Sequence, residues 1–290
     1  MSPHALEIRG LEKSFQRFRL GPLDVTVPRG AIYGFVGPNG AGKTTTIDLI
    51  LGMGGKDAGS IRVLGLDHLA DELKVHQQVG YVSPDLDYQR WGRVSRAIQF
   101  VKGFYPSWDD QYCERLLTTF HLGRDEKIAQ LSFGARIKLS LVLALSWRPT
   151  LLLLDEPTVG LDAIAKQQVF AELLSAVGEG DRTVFISSHA ISDLERFADH
   201  VGMIKDGRML FEGPTDTVTA AYRMVDFVTH RPLDFTDAPG VFVQRQEDER
   251  WRVLVDSRQV SLELLEQRGA SHISDVPVSL EELFVALGSR

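Results

Sequence analysis

Apolar and polar residues alternate from Leu6 to Val27, with Leu6, Ile8, Leu11, Phe15, Phe18 and Leu20 punctuated by Gly10 and by Gly21 and Pro22. A period of two broken by glycine and proline predicts a short antiparallel sheet. The pattern then changes. An apolar run, Ala31 to Val36, passes through a glycine-rich octet into an amphipathic run that starts at Thr44 and ends near Gly52. This predicts strand, loop and helix in succession. A glycine-rich turn from Gly52 to Gly59 leads to a strand at Ser60–Leu64, a short helix at Asp71–Gln78 and a strand at Val79–Ser83 that Pro84 stops.

Between Asp85 and Gln130 the spacing becomes helical: Val94, Ile98, Val101 and Phe104 form one set, and Cys113, Leu116, Leu117 and Phe120 a second. This is a helical insertion. A helix running through Trp147 follows, then the four leucines Leu151–Leu154, a continuous apolar run that suits a strand covered on both faces. A helix at Ala163–Val177, a strand at Thr183–Ser187, a helix at Ile191–Ala198 and a hairpin about Asp206 and Gly207 complete the alternation. Strands alternating with helices predict a doubly wound, mostly parallel sheet whose ligands sit beyond the carboxyl ends of its strands. After about residue 220 the pattern shifts to strands at Met224–Thr229, Val241–Gln244 and Trp251–Val255, with short helices at Leu262–Gln267 and Leu280–Leu287.

The expected fold is therefore α/β: a mostly parallel central sheet, an N-terminal antiparallel β subdomain, a helical insertion and a small C-terminal α+β appendage. The expected domains are a main unit over residues 1–220, with its helical part at about 85–147, and an accessory unit over 221–290.

At 290 residues the chain holds one such domain of about 200 residues and an appendage. A net charge of −7 argues against a broad basic surface, and no nucleic-acid partner is expected. Cys113 is the only cysteine, which excludes an internal disulfide and a cysteine-based metal site and fits a reducing compartment. The opening residues carry no apolar targeting core, and the most apolar stretches fall short of the roughly 20 residues that span a bilayer. The chain is expected at the cytoplasmic face of the membrane, held there through a partner.

The candidate chemistry sits in the octet Gly37, Pro38, Asn39, Gly40, Ala41, Gly42, Lys43 and Thr44. Its glycines let the backbone curl with successive NH groups inward, and the helix that follows adds its unsatisfied amino-terminal NH groups and dipole. Such a nest suits a polyphosphate. Lys43 is placed to reach the β and γ phosphates, Thr44 to ligate Mg²⁺ through its hydroxyl and Thr45 to support an inner phosphate. Asp155, at the end of the leucine strand, can hold Mg²⁺, while Glu156 can polarise the water that attacks the γ-phosphate. His189 follows another strand end, where its imidazole could bond the γ-phosphate or orient that water. The loop, Asp155 with Glu156, and Ser188 with His189 should meet on one edge of the sheet.

With these residues in order, the chain resembles the nucleotide-binding subunit of an ABC transporter over about residues 5–218, which implies a fold of the P-loop NTPase type with residues 1–220 as the ATP-binding domain. Gly37–Thr44 is similar to the Walker A motif, Leu151–Glu156 to the Walker B, Val159–Asp162 to the D-loop, and Ser188 with His189 to the switch-histidine region. Leu131–Ala135 stands where the family carries its LSGGQ signature. The resemblance implies that Phe15 stacks on adenine. It also implies that Ser132, Gly134 and Asp162 help to enclose ATP held by a second subunit in a head-to-tail dimer, which is either a second copy or a paralogue. Closure on ATP and release on hydrolysis would then drive an integral membrane permease. The phosphate-loop unit, Phe104–Asp109 and the ending Ser279–Phe284 resemble ATP-binding subunits of bacterial ABC-2 type exporters.

Two departures from the family stand out. A glutamine that contacts Mg²⁺ normally follows the strand equivalent to Val79–Val82, and none is present there; Ser83 or Asp85 would substitute. In the signature, Phe133 replaces the first glycine and Ala135 the glutamine, while Ser132 and Gly134 remain. The aromatics Tyr88, Trp91, Phe100, Phe104, Tyr105 and Trp108 either line a permease groove on the insertion or belong to the core. The alternative functions are a soluble ABC-type ATPase regulator without a permease and an ordinary P-loop kinase. The appendage could stabilise the dimer, regulate it or cover the catalytic unit.

Overall fold

The computed structural model describes residues 2–178, 182–230 and 239–288. Its amino-terminal elements are β1 (His4–Ser14), β2 (Arg19–Pro28), β3 (Ile32–Val36), α1 (Lys43–Ile50), β4 (Ala58–Val63), β5 (Leu66–Asp67), α2 (Glu72–His76) and β6 (Val79–Val82). The insertion contributes α3 (Val94–Lys102) and α4 (Asp110–Thr119), followed by α5 (Phe133–Leu145). Then come β7 (Leu151–Asp155), α6 (Ala163–Gly178), β8 (Thr183–Ser188), α7 (Ile191–Leu194), β9 (His200–Lys205), β10 (Arg208–Pro214) and α8 (Thr215–Ala220). The last elements are β11 (Tyr222–Val228), β12 (Val241–Glu247), β13 (Arg250–Asp256), α9 (Leu262–Gln267), β14 (Ser271–Pro277) and α10 (Leu280–Gly288).

Three sheets result, ordered β2-β1-β4-β5, β10-β9-β3-β8-β7-β6 and β12-β13-β11-β14. The alternating amino-terminal segment forms the antiparallel sheet that its period required, with Ile8 opposite Val25 and Ile61. In the six-stranded sheet every pairing from β9 to β6 is parallel, and only β10 runs against its neighbour. This is the mixed α/β architecture read from the sequence.

The four leucines of β7 show why a continuous apolar run was needed. Leu151 and Leu153 join the core shared with the amino-terminal sheet and α1, while Leu152 and Leu154 join the core shared with α3, α4, α5 and α6. On the first side Phe185 stacks on Tyr33 at 5.4 Å and 8° and tilts against Phe35 at 5.3 Å. Burial pushes the Tyr33 phenol well above its usual range; its hydroxyl donates to Glu212 Oε1 at 2.9 Å, and the same oxygen accepts from the Thr26 amide at 2.7 Å. These bonds tie the two sheets together with no polar atom of the phenol left unpaired. Cys113 is fully buried and its thiol is pushed up by burial, so it packs as a small apolar residue.

Three expectations change in detail. The helix after β8 stops at Leu194 rather than Ala198, because the chain must turn to pair: Asp199 Oδ2 accepts from the Ile32 amide at 2.8 Å and the Asp199 amide donates to Ile32 O at 2.9 Å. Phe197, just beyond the helix, stacks on Phe170 at 4.4 Å. The helix α8 and the strand β14 were not foreseen, since Thr215–Ala220 is polar and short and Ser271–Pro277 has no alternating burial. β14 exists through its pairing with β11. The strands β11 and β13 and the helix α10 pack on the main body. Met224, Leu254, Val278, Leu280 and Leu283 share one core with Leu194 and Ala198, and the Leu280 amide donates to Glu195 Oε1 at 2.9 Å. The stretch 231–238 of the expected appendage lies outside the described residues.

Phe185→Ala should lower stability by about 3–5 kcal/mol, because it removes the ring on which both Tyr33 and Phe35 pack. Urea unfolding of the purified chain measures this, and a loss below about 1 kcal/mol would contradict the packing.

Candidate active site

β3 delivers the glycine octet directly beside β8, where Val36 pairs with Ser188 and the Gly37 amide donates to Ser188 O at 3.2 Å. β7 lies on the other side of β8, with Asp155 opposite Ser187. The register therefore brings the three predicted strand ends to one edge. At Gly42 the backbone enters α1 with φ +110°, and a Cβ there would stand 2.6 Å from Leu20 and 3.0 Å from the Phe18 ring. Only glycine fits both conditions. No side chain caps α1, so the NH groups of its first turn remain open to an anion.

Lys43 is buried, 6% exposed, and its ammonium donates to Gly37 O at 2.8 Å and Pro38 O at 3.2 Å. It also lies 3.2 Å from Glu156 Oε1 as an ion pair. That oxygen is buried and makes no hydrogen bond of good geometry, so the contact is charge on charge. The other oxygen, Glu156 Oε2, is 2.8 Å from His189 Nδ1. Glu156 thus stands between the loop lysine and the histidine. Its backbone is left-handed, φ +46°, a conformation that costs about 1–3 kcal/mol for a residue with a side chain. Its amide is held by Ser187 through both O, at 3.2 Å, and Oγ, at 3.1 Å. His189 is 46% exposed in its side chain, reached from the open face of the site.

Asp155 is buried, and both of its oxygens are engaged: Thr44 Oγ1 donates to Oδ2 at 2.7 Å, and Ser187 Oγ donates to Oδ1. A hydroxyl and a carboxylate oxygen side by side beneath a phosphate loop suit Mg²⁺, which takes one or two such ligands beside substrate phosphates. Asp48, one turn after Thr44 on α1, is a neighbour that the sequence reading missed; its carboxyl is raised by burial first, then by the charges of Asp155 and Asp85. The spacing of four residues from Thr44 was the signal available. Asp85 is exposed, and its amide donates to the Oγ of the buried Ser83 at 3.2 Å. Neither residue is hydrogen-bonded to Thr44 or Asp155.

A cavity of about 420 Å³ opens over the loop, lined by Phe18, Asn39, Gly40, Lys43, Thr45 and Glu156 among others. Phe15, the expected adenine partner, does not line it; that ring is half exposed and sits 6.2 Å from Phe18, which does. Ser132, Gly134 and Asp162 are elsewhere, around a second cavity of about 460 Å³ with Phe133 and Lys138. α5 starts at Phe133, because Ser132 is its cap and accepts from the Ala135 amide at 3.2 Å. Asp162 likewise caps α6 by accepting from the Ala165 amide at 2.8 Å. Of the insertion's aromatics, Tyr88, Phe100, Phe104 and Tyr105 line an apolar groove of about 430 Å³ beside β6. Burial pushes the Tyr88 phenol up to about 12. Trp91 instead stacks behind Phe100 at 3.7 Å, and Trp108 packs against the core.

A phosphate loop between a buried strand and a helix, with an aspartate and a glutamate at the end of the next strand but one in the sheet, defines a P-loop ATPase. The chain belongs to the ABC transporter family. The family's model, described as ABC transporter, matches residues 20–159. The Nod factor export ATP-binding protein I of Rhizobium johnstonii (strain DSM 114642 / LMG 32736 / 3841) is 32% identical over 224 residues, 73% of this chain and 70% of that protein. The ABC transporter ATP-binding protein YtrB of Bacillus subtilis (strain 168) is 28% identical over 292 residues, 97% of each chain. A solved ATP-binding subunit of an ABC transporter superposes with a TM-score of 0.67 at 25% identity, over 74% of this chain and 92% of that one. The chain is thus a nucleotide-binding ABC ATPase, the ATP-binding subunit of a transporter. Among the described residues no helix is long and apolar enough to cross a membrane.

Thr44→Val keeps the volume of the side chain but removes the donor to a buried carboxylate oxygen. It should lower stability in the absence of nucleotide by about 1–3 kcal/mol, read by thermal or urea unfolding without ATP or Mg²⁺. An unchanged midpoint would show that the Thr44 hydroxyl does not hold Asp155.

Proposed function

We propose that this subunit hydrolyses ATP between two copies arranged head to tail and thereby powers a separate integral membrane permease, in the direction of export. The observation that supports this reading is the division of the candidate residues. Lys43, Thr44 and Glu156 line the phosphate-loop cavity, with Asp155 bonded to Thr44 and His189 to Glu156, while Ser132, Gly134 and Asp162 surround a different one. Each chain then carries two halves of two sites, and a second subunit completes both.

In this reading the loop amides and the Lys43 ammonium bind the β and γ phosphates of ATP by charge-assisted bonds. Glu156 accepts the proton of the attacking water, and His189, bonded to Glu156 through Nδ1, presents Nε2 to the γ-phosphate side. Thr44 and Asp155 would hold Mg²⁺, which when bound supplies charge neutralisation at the phosphates. In the free chain Lys43 already faces Glu156. A phosphate that draws Lys43 away leaves the carboxylate free to take a proton. The Ser132 hydroxyl and the Gly134 amide at the start of α5 face the nucleotide of the other subunit. The aromatic groove receives a cytoplasmic helix of the permease, with Phe100 and Phe104 as exposed anchors. Relatives named for Nod factor export support the outward direction. Residues 221–290 are read as an accessory unit, and the ATP-binding unit as residues 1–220.

Glu156→Gln should bind Mg-ATP, hydrolyse it at a rate reduced at least a hundredfold and accumulate as a dimer in sedimentation velocity. A variant that stays monomeric at saturating Mg-ATP contradicts the two-subunit site. Detergent extracts of cells expressing a tagged chain should yield a co-purifying integral membrane protein, and Phe104→Asp should abolish its recovery. Equal recovery with Phe104→Asp would place the docking surface elsewhere.

A further inference from the structure

Phe133 stands out because neither the core nor helix formation accounts for it. The buried face of α5 begins at Ile137, and Phe133, at the first helical position, belongs to none of the apolar clusters and is 42% exposed. Its ring lies instead on Gly160: a Cβ built on that glycine would stand 2.7 Å from Phe133 Cδ1 and 3.1 Å from Cε1. Gly160 also has φ +70°, so a side chain there would be strained as well as blocked. Next to it, Gly134 presses on the same loop, with its own built Cβ 2.9 Å from Leu161 Cδ2 and 3.3 Å from Gly160 O.

The loop under the ring leads straight back to the candidate base. The Val159 amide donates to Glu156 O at 3.1 Å, and the Leu161 amide donates to Thr158 O at 3.2 Å, so residues from Glu156 to Leu161 form two consecutive hydrogen-bonded turns. At the far end Asp162 is fixed as the cap of α6. The segment is tied at both ends and has a left-handed glycine in its middle, and Phe133 is the side chain packed on that glycine, beside the contact of Gly134 with Leu161. Where the family signature has glycine, no ring would cover Gly160.

We propose that Phe133 is a positioning residue for ATP hydrolysis, which through Gly160 couples the turn from Ser132 to Ala135 to the backbone of Glu156 in the same chain. The inference rests on the head-to-tail reading above. In that arrangement Ser132 meets the nucleotide of one site while Glu156 serves the other. The ring then makes engagement at the first site felt at the base of the second. Because Phe133 does not line the phosphate-loop cavity, its effect falls on turnover and not on binding of nucleotide to the loop.

The test compares Phe133→Ala, Phe133→Leu, Gly160→Ala and the double variant Phe133→Ala with Gly160→Ala. Steady-state Mg-ATP hydrolysis gives kcat, and titration with a fluorescent ATP analogue gives Kd on the same preparations. Phe133→Ala should lose at least fivefold in kcat with Kd within twofold of the parent, and Phe133→Leu should recover at least half of the parent kcat. The double variant should be no slower than the slower single variant, since both changes break one contact. A Phe133→Ala kcat within twofold of the parent, a parallel loss in Kd, no recovery with Phe133→Leu or multiplicative losses in the double variant would each overturn the assignment. The dimer reading is tested separately by Glu156→Gln. If that variant remains monomeric, both readings fall; if it dimerises while Phe133→Ala turns over normally, only this one does.

Discussion

The buried carboxylate of Asp155 is the point on which the site depends. It closes β7, accepts from Thr44 at the start of α1 and accepts from Ser187 on β8, so three elements meet at two oxygen atoms. A buried carboxylate is tolerated only when donors surround it. Here those donors come from the phosphate loop's helix and from the strand that carries His189. The same interaction that satisfies Asp155 therefore sets the loop against the catalytic edge. Parallel pairing supplies the rest: with Val36 beside Ser188 and Asp155 beside Ser187, a one-residue slip would move each functional residue to the wrong face.

Around this anchor the charges of the free chain are arranged as a closed set. Lys43 is satisfied by two carbonyls and by Glu156, and Glu156 by Lys43 and His189. The left-handed backbone of Glu156 is held by two bonds from its amide to Ser187, which offset the strain that such a conformation carries. Glu156 is one of seven non-glycine residues with positive φ among those described, and the one of them whose carboxylate pairs with the loop lysine, an arrangement that suits a group kept in position for chemistry. A polyphosphate competes with Glu156 for Lys43, so ligand binding and release of the carboxylate are linked by simple electrostatics.

Most of this frame was legible in the sequence because it rests on short-range rules. Four leucines between the break at Arg148–Thr150 and the polar pair Asp155 and Glu156 suit a short strand with two covered faces, and a glycine octet between an apolar run and an amphipathic one suits a loop feeding a helix. What escaped has a different origin. β14 carries no alternation because neither of its faces is regularly buried, and α7 ends early because Asp199 is needed to bond Ile32. Phe18 rather than Phe15 reaches the loop cavity, a choice made by the bend between β1 and β2 and by the space over Gly42, which no periodicity encodes. Phe133 looked like a simple departure from a motif. Only its distance from Gly160 shows what the ring touches.

The missing glutamine after β6 is best understood from its surroundings. Ser83 is buried and turned inward to accept from the Asp85 amide, so Asp85 is held at the surface on a short turn. Its charge still reaches Asp48, where together with Asp155 it raises a carboxyl already lifted by burial. Tyr81, one residue before the end of β6, lines the aromatic groove, and its phenol is raised by burial and by Asp155, Asp48 and Asp85. Tyr81 therefore lines the groove while its phenol feels the charges of three carboxylates. A cation near Thr44 and Asp155 would offset the charge of Asp155 that Asp48 feels, and so act against the upward shift of the Asp48 carboxyl.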